Sequence, residues 1–189
     1  MFVSMVSVFS RVRIPKIVLW FNSLVLAATA AAVPGVLDIP YIRQTGAGCG
    51  WASVAMVMQY WVKNQPGLDS LAATVDRIEK DLRPSRNGLS GKQLKGYFEA
   101  HGFAAYAFTG NLGDLEQHVD KGRPVIVCLG VKGTGSPLHY AVVAGLSENK
   151  IVLNDPARGK LYEEDLETFS RAWKVTDYWA LLAVPKPTQ

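Results

Sequence analysis

From Trp51 to Val62 the chain places Ala52, Ala55, Met56, Met58, Gln59 and Tyr60 in a stretch free of proline and glycine. That pattern predicts a helix from about Gly50 to Val62. Helical spacing returns over residues 69–83, DSLAATVDRIEKDLR, where Asp69 or Ser70 can cap and Leu71, Val75, Ile78 and Leu82 share one face. After the turn PSRNG, the stretch LSGKQLKGYFEAHGF offers Ser90 as a cap and Leu94, Tyr97 and Phe98 as an apolar stripe, until Gly102 ends it. A short helix follows in NLGDLEQHVDKGR, stopped by Gly122. Beyond it the period changes. PVIVCLGV, HYAVVAGLS, KIVLNDP and YWALLAVP are β-rich runs separated by turn residues, with DLETFSRAW a short helix between the last two. Helices first and strands afterwards predict an α+β domain, its N-terminal helices packed on a C-terminal antiparallel β-sheet.

With 189 residues, 49% hydrophobic and 19% charged, the chain reads as one globular domain with a real core. Part of the apolar excess is a targeting segment. Arg11, Arg13 and Lys16 precede IVLWFNSLVLAATAAA, which ends in small residues at Ala28, Ala30 and Ala32, the order of a secretory signal peptide. The run from Ile17 to Ala32 is shorter than the roughly 20 residues a spanning helix needs, and Asn22 and Ser23 interrupt it. Residues 1–32 are therefore expected to be a signal peptide or, if uncleaved, an N-terminal anchor, with the domain over 33–189. This implies export to a periplasmic or extracellular location and membrane contact only through an uncleaved N-terminal segment. Without those residues, 17 basic side chains face 16 acidic ones, so the pI of about 9.1 is mostly the signal's. No Lys/Arg block interleaved with aromatics occurs in the remainder, which excludes nucleic acid as an expected partner.

The candidate chemistry centres on Cys49, set between two glycines where the first helix begins. A thiol there faces unpaired backbone N–H groups and the positive end of the helix dipole, which favour the nucleophilic thiolate. The bland alternative is a small buried residue at the head of a core helix. An exported protein with two cysteines also admits a Cys49–Cys128 disulfide, but Cys128 lies in the strand-like PVIVCLG and two free thiols are expected. A nucleophile needs a base and the base an orienting group. His101 and His118 read as solvated or helix-terminal, whereas His139 opens a strand after the glycine-rich loop KGTGSPL. The next strand ends in Asn154 and Asp155, at the same end of the hairpin. A three-residue turn of Glu148, Asn149 and Lys150 would put Asp155 on the face of His139, and a two-residue turn would put Asn154 there. Gln44, five residues before Cys49, offers an amide donor for an oxyanion beside the Cys49 N–H. No CxxC, HExxH, paired helical histidines or phosphate-cradling glycine loop is present, so no metal or cofactor is expected.

Four segments together resemble the C39 family of papain-like cysteine peptidases, the domain that cuts double-glycine leader peptides. They are Gln44 followed by Cys49, Gly50 and the helix WASVAMVMQYW; GLSGKQLKGYFEAHGF; LEQHVDKGRPVIVCL; and HYAVVAG with the following NDPA. The resemblance covers about residues 36–184 and implies a papain-like fold. It also implies Cys49 as nucleophile, His139 as general base and acid, Asp155 as orienter and Gln44 as oxyanion donor. The implied partners are a peptide or protein substrate and an export system. Leader-cutting members are usually fused to transporter domains, whereas this sequence carries no Walker motif and reads as exported. The expected activity is thiol hydrolysis of a peptide bond. The alternatives are acyl transfer or amide hydrolysis with the same residues, and a catalytically silent peptide-binding module. Trp51, in the first turn of the active helix, is expected to pack in the core.

Overall fold

A computed structural model describes residues 35–84, 88–130 and 138–187, all within one compact unit, Ala32–Gln189. The expected signal segment lies outside the described residues. Helix α1, Cys49–Asn64, is buried on every side from Cys49 to Met58. A helix apolar all round belongs inside a protein rather than on its surface. Trp51 is 2% exposed, as expected of a core residue. The indole N–H of Trp61 donates to the Ala183 carbonyl at 3.0 Å and the Tyr60 hydroxyl to that of Gly122 at 3.0 Å, fastening the far end of α1 to the rest of the domain.

Helix α2 is shorter than its periodicity predicts, Val75–Asp81. The Asp69 carboxylate accepts from the N–H groups of Leu71 and Ala72, closing a separate turn, and Thr74 is extended before the helix starts. Leu71 is consequently 76% exposed, while Ile78 and Leu82 stay buried. Helix α3, Gly91–Ala100, begins at the predicted Ser90, whose capping box with Gln93 is complete. Two strands escape the sequence pattern. β1, Phe103–Thr109, is an alanine-rich edge strand, and β5, Gly159–Asp165, is a charged one at the opposite edge. Charge on an edge strand opposes pairing with other chains, and the same charge hides the strand from an apolar pattern.

The remaining elements are α4 (Leu112–Asp120), β2 (Val125–Gly130), β3 (Leu138–Leu146), β4 (Lys150–Asp155), α5 (Leu166–Lys174) and β6 (Trp179–Pro185). Among the described residues six strands form one wholly antiparallel sheet in the order β1-β6-β2-β3-β4-β5. Helices α1 and α3 cover one face through Ile126, Cys128, Tyr140, Val142 and Leu181, and α2 packs on α1. Helices α4 and α5 cover the other through Val125, Val127, Ala141, Val143 and Leu153. Burial of both faces explains why β2 and β3 read as unbroken apolar runs.

Of the two turns open to the β3–β4 hairpin, the structure has the two-residue one. Leu146 pairs with Ile151 and Gly145 with Val152, while the Ser147 N–H donates to the Lys150 carbonyl, so the turn itself holds two residues, Glu148 and Asn149. The register then shifts between Val143 and Gly145, where Ala144 is an extra residue, and continues as Val143 with Leu153 and Val142 with Asn154. One inserted residue exchanges the faces of everything beyond it. The bulge thus supplies the parity that the turn does not, and His139 and Asp155 share a side. The Ala144 carbonyl left over at the bulge accepts from the Leu37 N–H at 2.7 Å. That bond starts a lead-in segment running from Val36 along β3 and β4 toward Cys49. Gly145 is required beneath it, since a Cβ there would lie 2.9 Å from the Val36 side chain.

Candidate active site

Cys49 occupies the first position of α1 because Gly48 and Gly50 allow the chain to pack on both sides of it. A Cβ on Gly48 would lie 2.2 Å from the Trp51 ring nitrogen, and one on Gly50 would lie 3.1 Å from two Leu89 carbons. No side chain caps this helix and no acidic residue stands in its first turn, so its N-terminal N–H groups remain available to an anion. Burial alone would raise the Cys49 pKa. Hydrogen bonds from His139 and from the backbone N–H groups of Tyr140 and Gly50 outweigh it and hold the thiol below its ordinary range.

The His139 Nε2–H donates to Asp155 Oδ1 at 2.8 Å, with the carboxylate side chain fully buried. The imidazole and the Cys49 thiol are close enough that each shifts the ionisation of the other. Burial would push the histidine pKa down, but the Asp155 hydrogen bond and then the Cys49 thiolate raise it to about 9. Asp155 is held low in turn: burial opposes its charge, and the bonds from His139, Ala157 N–H and Arg158 N–H overcome that. Oδ1 accepts from both of those N–H groups, at 2.8 and 3.1 Å, which fixes the carboxylate at the corner after β4. Oδ2 is buried without a hydrogen bond and has the Arg158 Nε at 3.7 Å, an ion-pair distance only.

The structure places the sequence-predicted residues as follows. Cys49, His139 and Asp155 meet. Gln44 lies in the loop before Cys49, where its Nε2 donates to the Gly46 carbonyl at 2.9 Å and its Oε1 is buried without a partner. Asn154 turns away from His139: its Nδ2 donates to the Ile39 carbonyl and its Oδ1 accepts from the Leu161 N–H. His101 bonds its own helix at Tyr97, and His118 packs against Phe108. Cys49 and Cys128 are free thiols, and burial pushes Cys128 up to about 12, leaving it an inert neutral group. The Tyr140 and Gly50 N–H groups at the sulfur, and Arg158 behind Asp155, carry no motif and could be found only through the fold. Among the described residues no group of three or more His, Cys, Asp or Glu side chains is placed to hold a metal ion.

A cavity of about 290 Å³ is lined by Cys128, Leu138, Tyr140, Val175, Thr176 and Trp179, of which Leu138 and Tyr140 flank His139 in β3. Leu138 at 43% and Val175 at 68% are among the large apolar side chains left exposed in the described residues.

Residues 36–181 match the profile of the Peptidase_C39 like family. The chain belongs to that family. Among curated proteins, this C39-like chain is 28% identical over 145 residues to the lactococcin-G-processing and transport ATP-binding protein LagD of Lactococcus lactis. That match takes in 77% of the chain but only 18% of the relative. Among solved structures, the double-glycine-motif protease of an AMS/PCAT transporter, crystallised with its leader peptide, is 24% identical with a TM-score of 0.61, covering 81% of this chain and 96% of that one. A C39-like peptidase from Bacillus anthracis superposes with a TM-score of 0.64 at 18% identity, covering 82% and 99%. The peptidase domain of Streptococcus ComA gives 0.60 at 21%, covering 77% and 98%. The papain-like α+β fold is thus shared across these C39 domains, and the chain is a cysteine peptidase domain by family.

Proposed function

We propose that the chain cleaves a peptide bond in an exported peptide or protein precursor through an acyl-enzyme on Cys49. The observation that carries this reading is the His139–Asp155 hydrogen bond beside a thiol at the head of α1 that the same imidazole holds below its ordinary pKa. The thiolate attacks the carbonyl carbon. The imidazolium then gives its proton to the departing amine, and the neutral imidazole takes one from the water that releases the acyl group. Asp155 holds the ring and its charge throughout. The oxyanion falls above the α1 N-terminus, where the Cys49 N–H and the second N–H of Gln44 Nε2 are its donors in this reading. The cavity lined by Leu138 and Tyr140, the neighbours of His139 in β3, seats a side chain of the substrate in this reading.

The relatives support a peptide substrate, since one of them was crystallised with a leader peptide and another processes lactococcin G. Whether the bond follows paired glycines in this chain's substrate is decided by experiment. A mixture of peptides with and without a Gly-Gly pair, incubated with the full chain under reducing conditions, is expected to yield discrete products by mass spectrometry. The same cleavage after alkylation of Cys49 would refute the proposal.

Export is the second part of the proposal, supported by the charged, apolar and small-residue order of residues 1–32. N-terminal sequencing of the protein recovered outside the cytoplasm is expected to begin near Val33, or at Met1 in a membrane fraction if the segment anchors it. Recovery only from the cytoplasm would refute it.

A further inference from the structure

Asp155 is flanked by residues that hold a different segment of the chain. Asn154, fully buried, donates from Nδ2 to the Ile39 carbonyl at 3.0 Å. The Tyr41 hydroxyl donates to the Asp155 carbonyl at 3.2 Å, and the Gln44 N–H to the Pro156 carbonyl at 3.0 Å. Three consecutive residues of the β4 corner, 154 to 156, are thereby tied to the lead-in that ends in Gln44 and Cys49. The other half of the Asn154 amide faces β5. There the register shifts so that Lys160 and Leu161 stand opposite Asn154, Leu161 has φ +51°, and its N–H donates to Asn154 Oδ1 at 3.0 Å.

We infer that Asn154 is a positioning residue: its amide sets the lead-in bearing Gln44 and Cys49 in register with the corner bearing Asp155, and through it with His139. Of the three ties, this one is made by a side chain with no solvent exposure, and both its donor and its acceptor are used. It has no access to water that could replace it, and among the described residues no other side chain bonds both Ile39 and Leu161. The consequence is chemical as well as structural. Cys49 and His139, whose ionisations are coupled, arrive on two segments, and misplacement by about 1 Å at such a site costs on the order of 10²-fold in rate.

The inference rests on Cys49 being the nucleophile, so its test uses no substrate. The rate of Cys49 alkylation by iodoacetamide is measured as a function of pH in the intact chain, with the modified peptide located by mass and the melting temperature recorded alongside. Ionisable or charged groups near the substitution are Asp155 and Arg158 at the β4 corner, His139 on β3, Lys160 and Tyr162 on β5, and Asp38 and Tyr41 on the lead-in. In Asn154→Ala the thiol is expected to revert toward an ordinary cysteine, with alkylation below about pH 7 slowed about tenfold or more. Asn154→Asp is the discriminating variant. Burial and the charge of Asp155 raise the new carboxyl's pKa. When protonated, its O–H donates to Ile39 while its carbonyl still accepts from Leu161. Its profile should follow the wild type at low pH and fall away toward that of Asn154→Ala as the carboxyl ionises. Wild-type profiles in both variants, even with lowered melting temperatures, would make Asn154 a core residue only and overturn the inference. So would an Asn154→Asp profile displaced equally at every pH. If the wild-type Cys49 itself titrates like a free cysteine, it is the peptidase reading that fails.

Discussion

Cys49→Ala is expected to lower kcat by about 10⁶-fold, the order of loss when an activated nucleophile is removed and only binding and oxyanion stabilisation remain. The fold should persist, because Cys49 is a small side chain at a helix end and its truncation costs about 1 kcal/mol. Cys128→Ala provides the contrast. Its thiol is buried at 4% exposure, is pushed up to about 12 and takes no part in the Cys49–His139–Asp155 link, so turnover should stay within a few-fold of wild type. Steady-state kinetics on a cleavable peptide, with thermal unfolding of each variant, separates the two roles. Equal inactivation by both substitutions would indicate a bridged pair rather than a nucleophile and a core residue.

Asp155→Asn is expected to reduce kcat by about 10²- to 10⁴-fold and to pull the alkaline limb of the pH profile inward. Burial acts to lower the His139 pKa, and it is chiefly the Asp155 hydrogen bond and charge that lift it to about 9. With a neutral amide the imidazolium gives up its proton at lower pH, and the thiolate–imidazolium form ends earlier. The folded-state pKa of His139 lies above its unfolded value of 6.5. The stability this ionisation contributes is therefore full below about pH 6.5 and disappears as pH rises through about 9. In Asp155→Asn that dependence should largely vanish from the melting temperature over the same interval. The variant should also be less stable at neutral pH. Asp155 Oδ1 already accepts three hydrogen bonds, and an amide NH₂ in the place of Oδ2 would be buried beside Arg158 without an acceptor, costing about 1–3 kcal/mol. A profile of unchanged width would mean that His139 does not depend on this carboxylate.

Much of this arrangement was readable from residue order alone, for reasons that differ by element. The α1 helix was plain because its periodic stretch lacks breakers, and α3 because Ser90 and Gln93 announce its start. Strands β2, β3 and β6 were plain because sheet burial on both faces demands unbroken apolar runs. β1 was hidden by its alanines and β5 by its charges, since an edge strand is held by main-chain bonds that side-chain pattern does not encode. α2 was overdrawn because Asp69 signals a cap equally well for a turn. Turn length alone leaves the partner of His139 open between Asp155, with a three-residue turn, and Asn154, with a two-residue one, and the family resemblance selects Asp155. The turn is the two-residue one, and what brings Asp155 to His139 is the extra residue Ala144, nine positions before Leu153; a bulge at an alanine leaves no mark in the sequence. Asn154 illustrates the same limit. Its neighbour Asp155 made it a rival for His139, yet its partners are Ile39 and Leu161, a tie visible only once the lead-in is seen lying along β4.

The most direct test of the account is to catch the intermediate. A peptide that the chain cleaves is mixed with it, the reaction is stopped with acid during the first turnovers, and the protein is digested and weighed. The account predicts an adduct equal in mass to the N-terminal product, less one water, on the fragment containing Cys49, and none when His139 is replaced by alanine. Cleavage that proceeds with no adduct on Cys49, and that survives Cys49→Ala, would contradict it.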